Sequence, residues 1–247
     1  MTKSKLELMV EIQRDFQRTV IDNQIIRGEA DAPFDELDVG TRVDLAIYYM
    51  QALRQEFWEL NERNLNAKIE GQDLEYVQEE LIDMFHFLMN VNIFLDVPVE
   101  PLQAVFQAEY FAKEVYRDNH YGTISTYLRL DRAFSGLLKE SVPWKKWKNY
   151  DPAVQVLVAD LDGEARYWAD VYSKDMMVSF MHMADIWDLS GDDLFKAYIA
   201  KQDINRERQK TVDAVAGGLN REHDAMHSGY GWLQTEYGVD PAELGLT

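Results

Sequence analysis

Apolar residues recur every three or four positions along most of this chain. Leu6, Met9, Ile12, Phe16 and Val20 form one such stripe and predict a helix over 5–25. Residues 30–40 read as a loop. Val43, Ile47, Met50, Phe57 and Leu60 predict a second helix over about 41–63, followed by a connection through 64–73. Asp73 is a candidate N-cap for a third helix that runs to about Leu95. Pro98 and Pro101 break and restart the chain, and a fourth helix is expected over about 101–118. The second half repeats the style, with helices expected over about 123–140, 152–170, 174–188 and 191–210. The stretch "SVPWKKWKNYDP" is an irregular joint between the first two. Residues 211–247 contain "AGG", "SGYG" and "YGVDP" and read as a mobile or loosely packed tail with room for one short helix. No segment alternates with period two. The predicted fold class is therefore all-α, a helical bundle in one domain over 1–210, with halves of about 1–122 and 123–210.

The halves resemble each other faintly. "EYFAKEVYRDN" (109–119) and "AYIAKQDINRE" (197–207) share Tyr-x-Ala-Lys, and His86 and His182 both sit in segments rich in Met and Phe. Two related halves explain this, and so does the general likeness of helical core segments.

Composition narrows the function classes. The 247 residues are 47% hydrophobic and 12% aromatic, enough for a sizeable core. There is no cysteine, which excludes disulfides, thiolate catalysis and thiolate metal sites and fits a cytoplasmic location. The N-terminus has no apolar signal core, and no apolar run approaches a membrane span, so no membrane partner is expected. The formal net charge of −19 makes a nucleic-acid partner unexpected. An anionic small molecule remains possible if cations bridge it to the protein.

The stretch "EELIDMFHF" (79–87) supplies the candidate chemistry. It is almost continuously apolar, yet it carries Glu79, Glu80, Asp83 and His86. Carboxylates are seldom buried without a partner. Glu80 and Asp83 are spaced i, i+3, as are Glu56 and Glu59 on the preceding helix, so each pair shares one helix face. If the two helices pack side by side, four carboxylates converge and repel unless cations sit among them. An oxygen-only ligand set suits Mg²⁺, Mn²⁺ or Ca²⁺, and Mg²⁺ is commonly completed by substrate phosphates. The alternative is two solvated helix faces.

Two further readings attach to this region. Asp83 and His86 have the carboxylate–histidine spacing of di-iron bundle proteins, although those need such a pair from each of two helices and His182 has Ser179 at that spacing. Downstream, Lys201, Asn205 and Arg208 share a helix face and can supply charge and donors to phosphate oxygens. The alternative for them is a cationic helix end that favours the dipole.

Taken together, "EFWE" (56–59), "EELIDMFHFLMN" (79–90) and "YIAKQDINRERQ" (198–209) resemble the signature of the all-α nucleoside triphosphate pyrophosphohydrolases. This superfamily includes MazG-type enzymes and the dimeric dUTPases, and the dUTPase branch fits best. The resemblance covers about residues 5–210. It implies two or three Mg²⁺ ions, with Mn²⁺ able to substitute, held by Glu56, Glu59, Glu80 and Asp83. Those four would be the catalytic acids, with Glu59 nearest the attacking water. It further implies Lys201, Asn205 and Arg208 on the phosphates, Gln13 and Gln17 on the base, His86 behind the metal ligands, a dNTP substrate and a homodimer. The expected reaction is hydrolysis of dUTP to dUMP and pyrophosphate.

The chain departs from the branch in several places. "LNERNLNAKI" follows the first acid pair, where a Trp- and Lys-rich segment is usual. "PWKKWK" (143–148) stands in the other half instead, as a substitute or as packing at a helix joint. Gln17 and Gln202 stand where Asn is usual, and the segment after Arg208 lacks the usual Gly-Tyr-Lys. The same chemistry on dCTP or a modified dNTP therefore stays open, as do a non-catalytic binding protein and a di-iron protein.

Overall fold

Ser4 begins the first helix, α1 (Lys5–Ile26), with a reciprocal cap. Its hydroxyl accepts from the Glu7 amide, while the Glu7 carboxylate accepts from the Ser4 amide at 2.7 Å. The computed structural model describes residues 3–26, 28, 30–70, 74–108, 112–115, 119–141, 156–189, 191–212 and 230–246. After a 3₁₀ turn at Phe34–Glu36, Asp38 caps α2 (Val39–Glu70), accepting from the Thr41 amide and hydroxyl. Helix α3 (Leu74–Phe94) returns antiparallel to α2, so the pair forms a long hairpin. Arg42 near the start of α2 donates to the carbonyls of Ile93 and Phe94 at the end of α3.

The short helices α4 (Glu100–Phe106) and α5 (Ala112–Val115) follow. A second hairpin comes from α6 (Asn119–Ser141) and α7 (Gly163–Ile186). Gly136 of α6 lies against the Tyr172 ring of α7 so closely that a Cβ there would stand 2.5 Å from it. The chain continues through α8 (Gly191–Val212) to α9 (Gly231–Tyr237) and a 3₁₀ turn at Pro241–Leu244.

The two hairpins form an antiparallel four-helix bundle, α2 meeting α6 and α3 meeting α7, with α1 and α8 packed on α3 and α4 and α5 on α7. Phe85 of α3 sits at its centre, against Phe180, Phe106 and Tyr198. The described residues are helical with no strand, and the fold is all-α. No helix among them is long and apolar enough to cross a membrane.

Both hairpins end alike. Asp96 and Asp188 adopt left-handed φ of 55° and 57°. Beyond each, one amide reaches back to the last turn, Val97 to Asn92 and Leu189 to Ala184. A new helix starts soon after each turn, α4 in one half and α8 in the other. The two halves thus share a hairpin, a turn and a following helix. At the distance from its turn that Glu80 has from Asp96, α7 carries Tyr172, the ring packed on Gly136, so the second hairpin fills that layer with an aromatic contact.

Several boundaries differ from the expectation. The 64–73 connection is largely helical, because α2 runs on to Glu70, and Asp73 lies outside the described residues. The helices expected over 152–170 and 174–188 are one, α7, since nothing between Asp170 and Lys174 breaks the hydrogen-bond ladder, but it begins only at Gly163, after a 3₁₀ turn at Val158–Asp160 flanked by extended Leu157 and Leu161. The helix expected over 101–118 is interrupted, with Gln107 and Ala108 closing α4 before α5 begins. Residues 143–148 lie outside the described residues. The tail expected to be loose buries Leu233 and Leu246, and Trp232 donates to the buried carboxylate of Asp203 at 3.1 Å.

Candidate metal centre

The hairpin brings the two acid pairs together. Glu56 and Glu59 are one turn apart on α2, and Glu80 faces them from α3. One carboxylate oxygen of each lies within 4.8 Å of the other two. Glu80 is buried, while Glu56 and Glu59 are half-buried. Glu59 also accepts from the side-chain amide of Gln55 at 3.3 Å. Among the described residues this is the one group of acids or histidines close enough to share an ion.

The crowding has a measurable consequence. Burial, a shared hydrogen bond with Glu80 and the charges of Asp83, Glu80 and Glu59 push the Glu56 carboxyl up to about 8. The crowding thus favours the protonated form of Glu56, whose proton can be shared with Glu80. A cation would replace that proton. The donor set fits a hard divalent ion, since carboxylate oxygens bound to one Mg²⁺ at about 2.1 Å lie about 3–4 Å apart. A small closure of the three side chains suffices.

Asp83 stands beside the group but is engaged elsewhere. Its two oxygens lie 2.9 Å from the ammonium of Lys201, which arrives from α8. The same helix carries Asn205 and Arg208, both partly buried. The structure thus brings Lys201 to the acids, across 118 residues of sequence.

One turn beyond Asp83, His86 enters a buried polar network. Its Nδ1 lies 3.1 Å from Oε1 of Gln13 and 3.3 Å from the amide nitrogen of Gln202. Its ring stacks on Tyr198, with centroids 4.4 Å apart. Burial first, and the Lys201 charge second, hold its pKa down to about 3, so it is neutral. Gln13 donates to Asn90 at 2.8 Å and accepts from Tyr198 at 2.8 Å and from Gln202. Gln17 accepts from Tyr49 at 2.7 Å. Gln13 and Gln17 are 1% and 3% exposed, so both amides are enclosed by protein. Among the described residues, Nε2 of His86 and Oε1 of Gln202 meet no hydrogen-bond partner.

Spacing alone does not mark Asn90, Tyr198 and Gln202 as members of this network. Their one signal in the sequence is polar character at helical spacing from candidate site residues: Asn90 one turn past His86, and Tyr198 and Gln202 flanking Lys201. No family model, curated protein or solved structure matches this chain.

Proposed function

We propose that this protein is a Mg²⁺-dependent pyrophosphohydrolase of deoxynucleoside triphosphates, with dUTP the first candidate substrate. The observation that carries the reading is the meeting of Glu56, Glu59 and Glu80 within 4.8 Å, beside an Asp83–Lys201 pair. An acidic protein has few ways to hold a triphosphate, and hard cations on carboxylates are one. The resemblance of the three sequence segments to the all-α pyrophosphohydrolases supports the same reading.

In this mechanism Glu56, Glu59 and Glu80, with Asp83 beside them, would hold the metal. Bound Mg²⁺ would acidify a water and offset phosphate charge. Glu59 orients the attacking water and takes its proton. A bond forms from that water oxygen to the α-phosphorus, and the bond to the bridging oxygen of the β-phosphate breaks. The monophosphate and pyrophosphate leave. Lys201, Asn205 and Arg208 hold phosphate oxygens. Gln13 and Gln17, the base readers implied by the resemblance, are enclosed by protein here, so either would contact a base only after the network that His86 shares opens. A homodimer is part of this proposal.

The same chemistry on dCTP or a modified dNTP is the second reading, and Gln202 favours it. Its side-chain amide donates to Gln13 Oε1, so this departure from the branch lies inside the network assigned to the base. Pyrophosphate release with Mg²⁺ against dUTP, dCTP, dTTP, dATP, dGTP and UTP tests both. Rapid release from dUTP alone is the expected result. Release from another nucleotide transfers the assignment to that base, and no release from any sinks the enzymatic reading.

A further inference from the structure

Binding phosphate leaves one contact of Lys201 unexplained. Its ammonium sits on both oxygens of Asp83 at 2.9 Å. The two side chains are 25% and 28% exposed, so the pair is held largely out of water. Lys201 comes from the other half of the chain, and α8 is packed against α3 where they meet. Asp83 is thereby the one acid of the four kept out of the glutamate group, although its charge is felt at Glu56.

An ammonium seated on a carboxylate is a cation position filled by a side chain. A divalent ion at about 2.1 Å from an Asp83 oxygen would stand within a few ångströms of the Lys201 nitrogen, where like charges repel strongly. With the ammonium on both oxygens, an ion binds Asp83 only if Lys201 gives up at least one of them. The three glutamates can take an ion while the Lys201–Asp83 pair stays intact.

We propose that Lys201 is a built-in counterion occupying the second cation position, so that the site loads in order. The first ion binds Glu56, Glu59 and Glu80. The second binds only when Lys201 leaves Asp83. A ligand with adjacent phosphates supplies anionic oxygens that draw the ammonium away, so the triphosphate and the second ion bind cooperatively, each raising the other's affinity by the same factor. A free metal ion alone leaves the site half loaded. This inference rests on the metal-site reading above.

The test is calorimetric titration of the full-length chain with Mn²⁺, with and without a non-hydrolysable α,β-methylene dUTP. Wild type, Lys201→Met, Lys201→Gln and Lys201→Arg are compared, with far-UV circular dichroism as the check on folding. The expected wild type binds one ion tightly and a second only at much higher Mn²⁺, and the analogue tightens the second step. Lys201→Met and Lys201→Gln should tighten the second step by about tenfold without the analogue, leave the first step unchanged and lose the analogue's effect. Lys201→Arg should behave as wild type. A wild type that binds two ions with equal affinity overturns the proposal and keeps the metal site. So does a second step that the neutral variants leave unchanged or weaken. A wild type that binds no Mn²⁺ overturns the metal site and this inference with it.

Discussion

Phe57 of α2 and Tyr127 of α6 stack face to face, their ring centroids 3.6 Å apart and their planes 6° from parallel. Arg54 and Asp131 pair one turn away, so this seam joins the hairpin that carries the acids to the second one. Phe57 is buried and lies between Glu56 and Glu59 in sequence. Phe57→Ala should cost about 3–5 kcal/mol, a fall in thermal midpoint of roughly 10 °C or more. Thermal unfolding followed by circular dichroism reads it, and a loss under 1 kcal/mol would refute the seam's role.

Glu80→Gln and Asp83→Asn should each cut pyrophosphate release at least about a hundredfold while helicity is kept. In the metal-free chain Glu80→Gln should also raise the thermal midpoint, because it relieves repulsion among acids that face one another. Full turnover in both variants would remove these residues from the chemistry.

Metal-free stability should depend on pH through Glu56. Its folded value is raised, to about 8, so the stability tied to its protonated form is present below the unfolded value of about 4.5. That stability is lost as pH rises through about 8. Denaturation midpoints between pH 5 and 9 should therefore fall in wild type and fall less in Glu56→Gln. Saturating Mn²⁺ should flatten the wild-type slope, and identical slopes in the two proteins would contradict the assignment.

The Gln13 network predicts a large penalty for an apolar replacement. Gln13→Leu leaves the Asn90 side-chain oxygen without its donor and removes the acceptor used by Tyr198 and Gln202. A loss of about 2–4 kcal/mol is expected from chemical denaturation. Tyr198→Phe removes one hydroxyl from the same network and should lose only about 1–2 kcal/mol.

Gly136→Ala reverses the usual rule for helices. Alanine is the better helix former by about 1 kcal/mol, but its Cβ would stand 2.5 Å from the Tyr172 ring. The variant should be destabilised by about 1–3 kcal/mol. Adding Tyr172→Ala should remove most of that penalty, since the clash then has no partner. Equal effects of Gly136→Ala in both backgrounds would show that the ring is not the cause.

The all-α class and most helix positions were legible because helical spacing of apolar residues is a local property. So were the two acid pairs, since i, i+3 spacing puts each on one face without further information. The end of α2 and the single α7 were not, because polar residues and a change of stripe look like breaks until packing shows that no hydrogen bond is lost. Spacing likewise showed Lys201 on a face with Asn205 and Arg208 and said nothing of what that face meets.

By itself the sequence determined an acidic, cysteine-free helical chain with two carboxylate pairs on neighbouring helices. Tertiary structure decided that three of those acids converge and that Asp83 is seated on Lys201, across 118 residues. It also decided that Gln13 joins His86, Asn90, Tyr198 and Gln202 in one buried network. The physical reason is range. Helix formation is set within a few residues, whereas charge and hydrogen-bond partners depend on which faces packing turns toward each other, and no spacing along the chain records that.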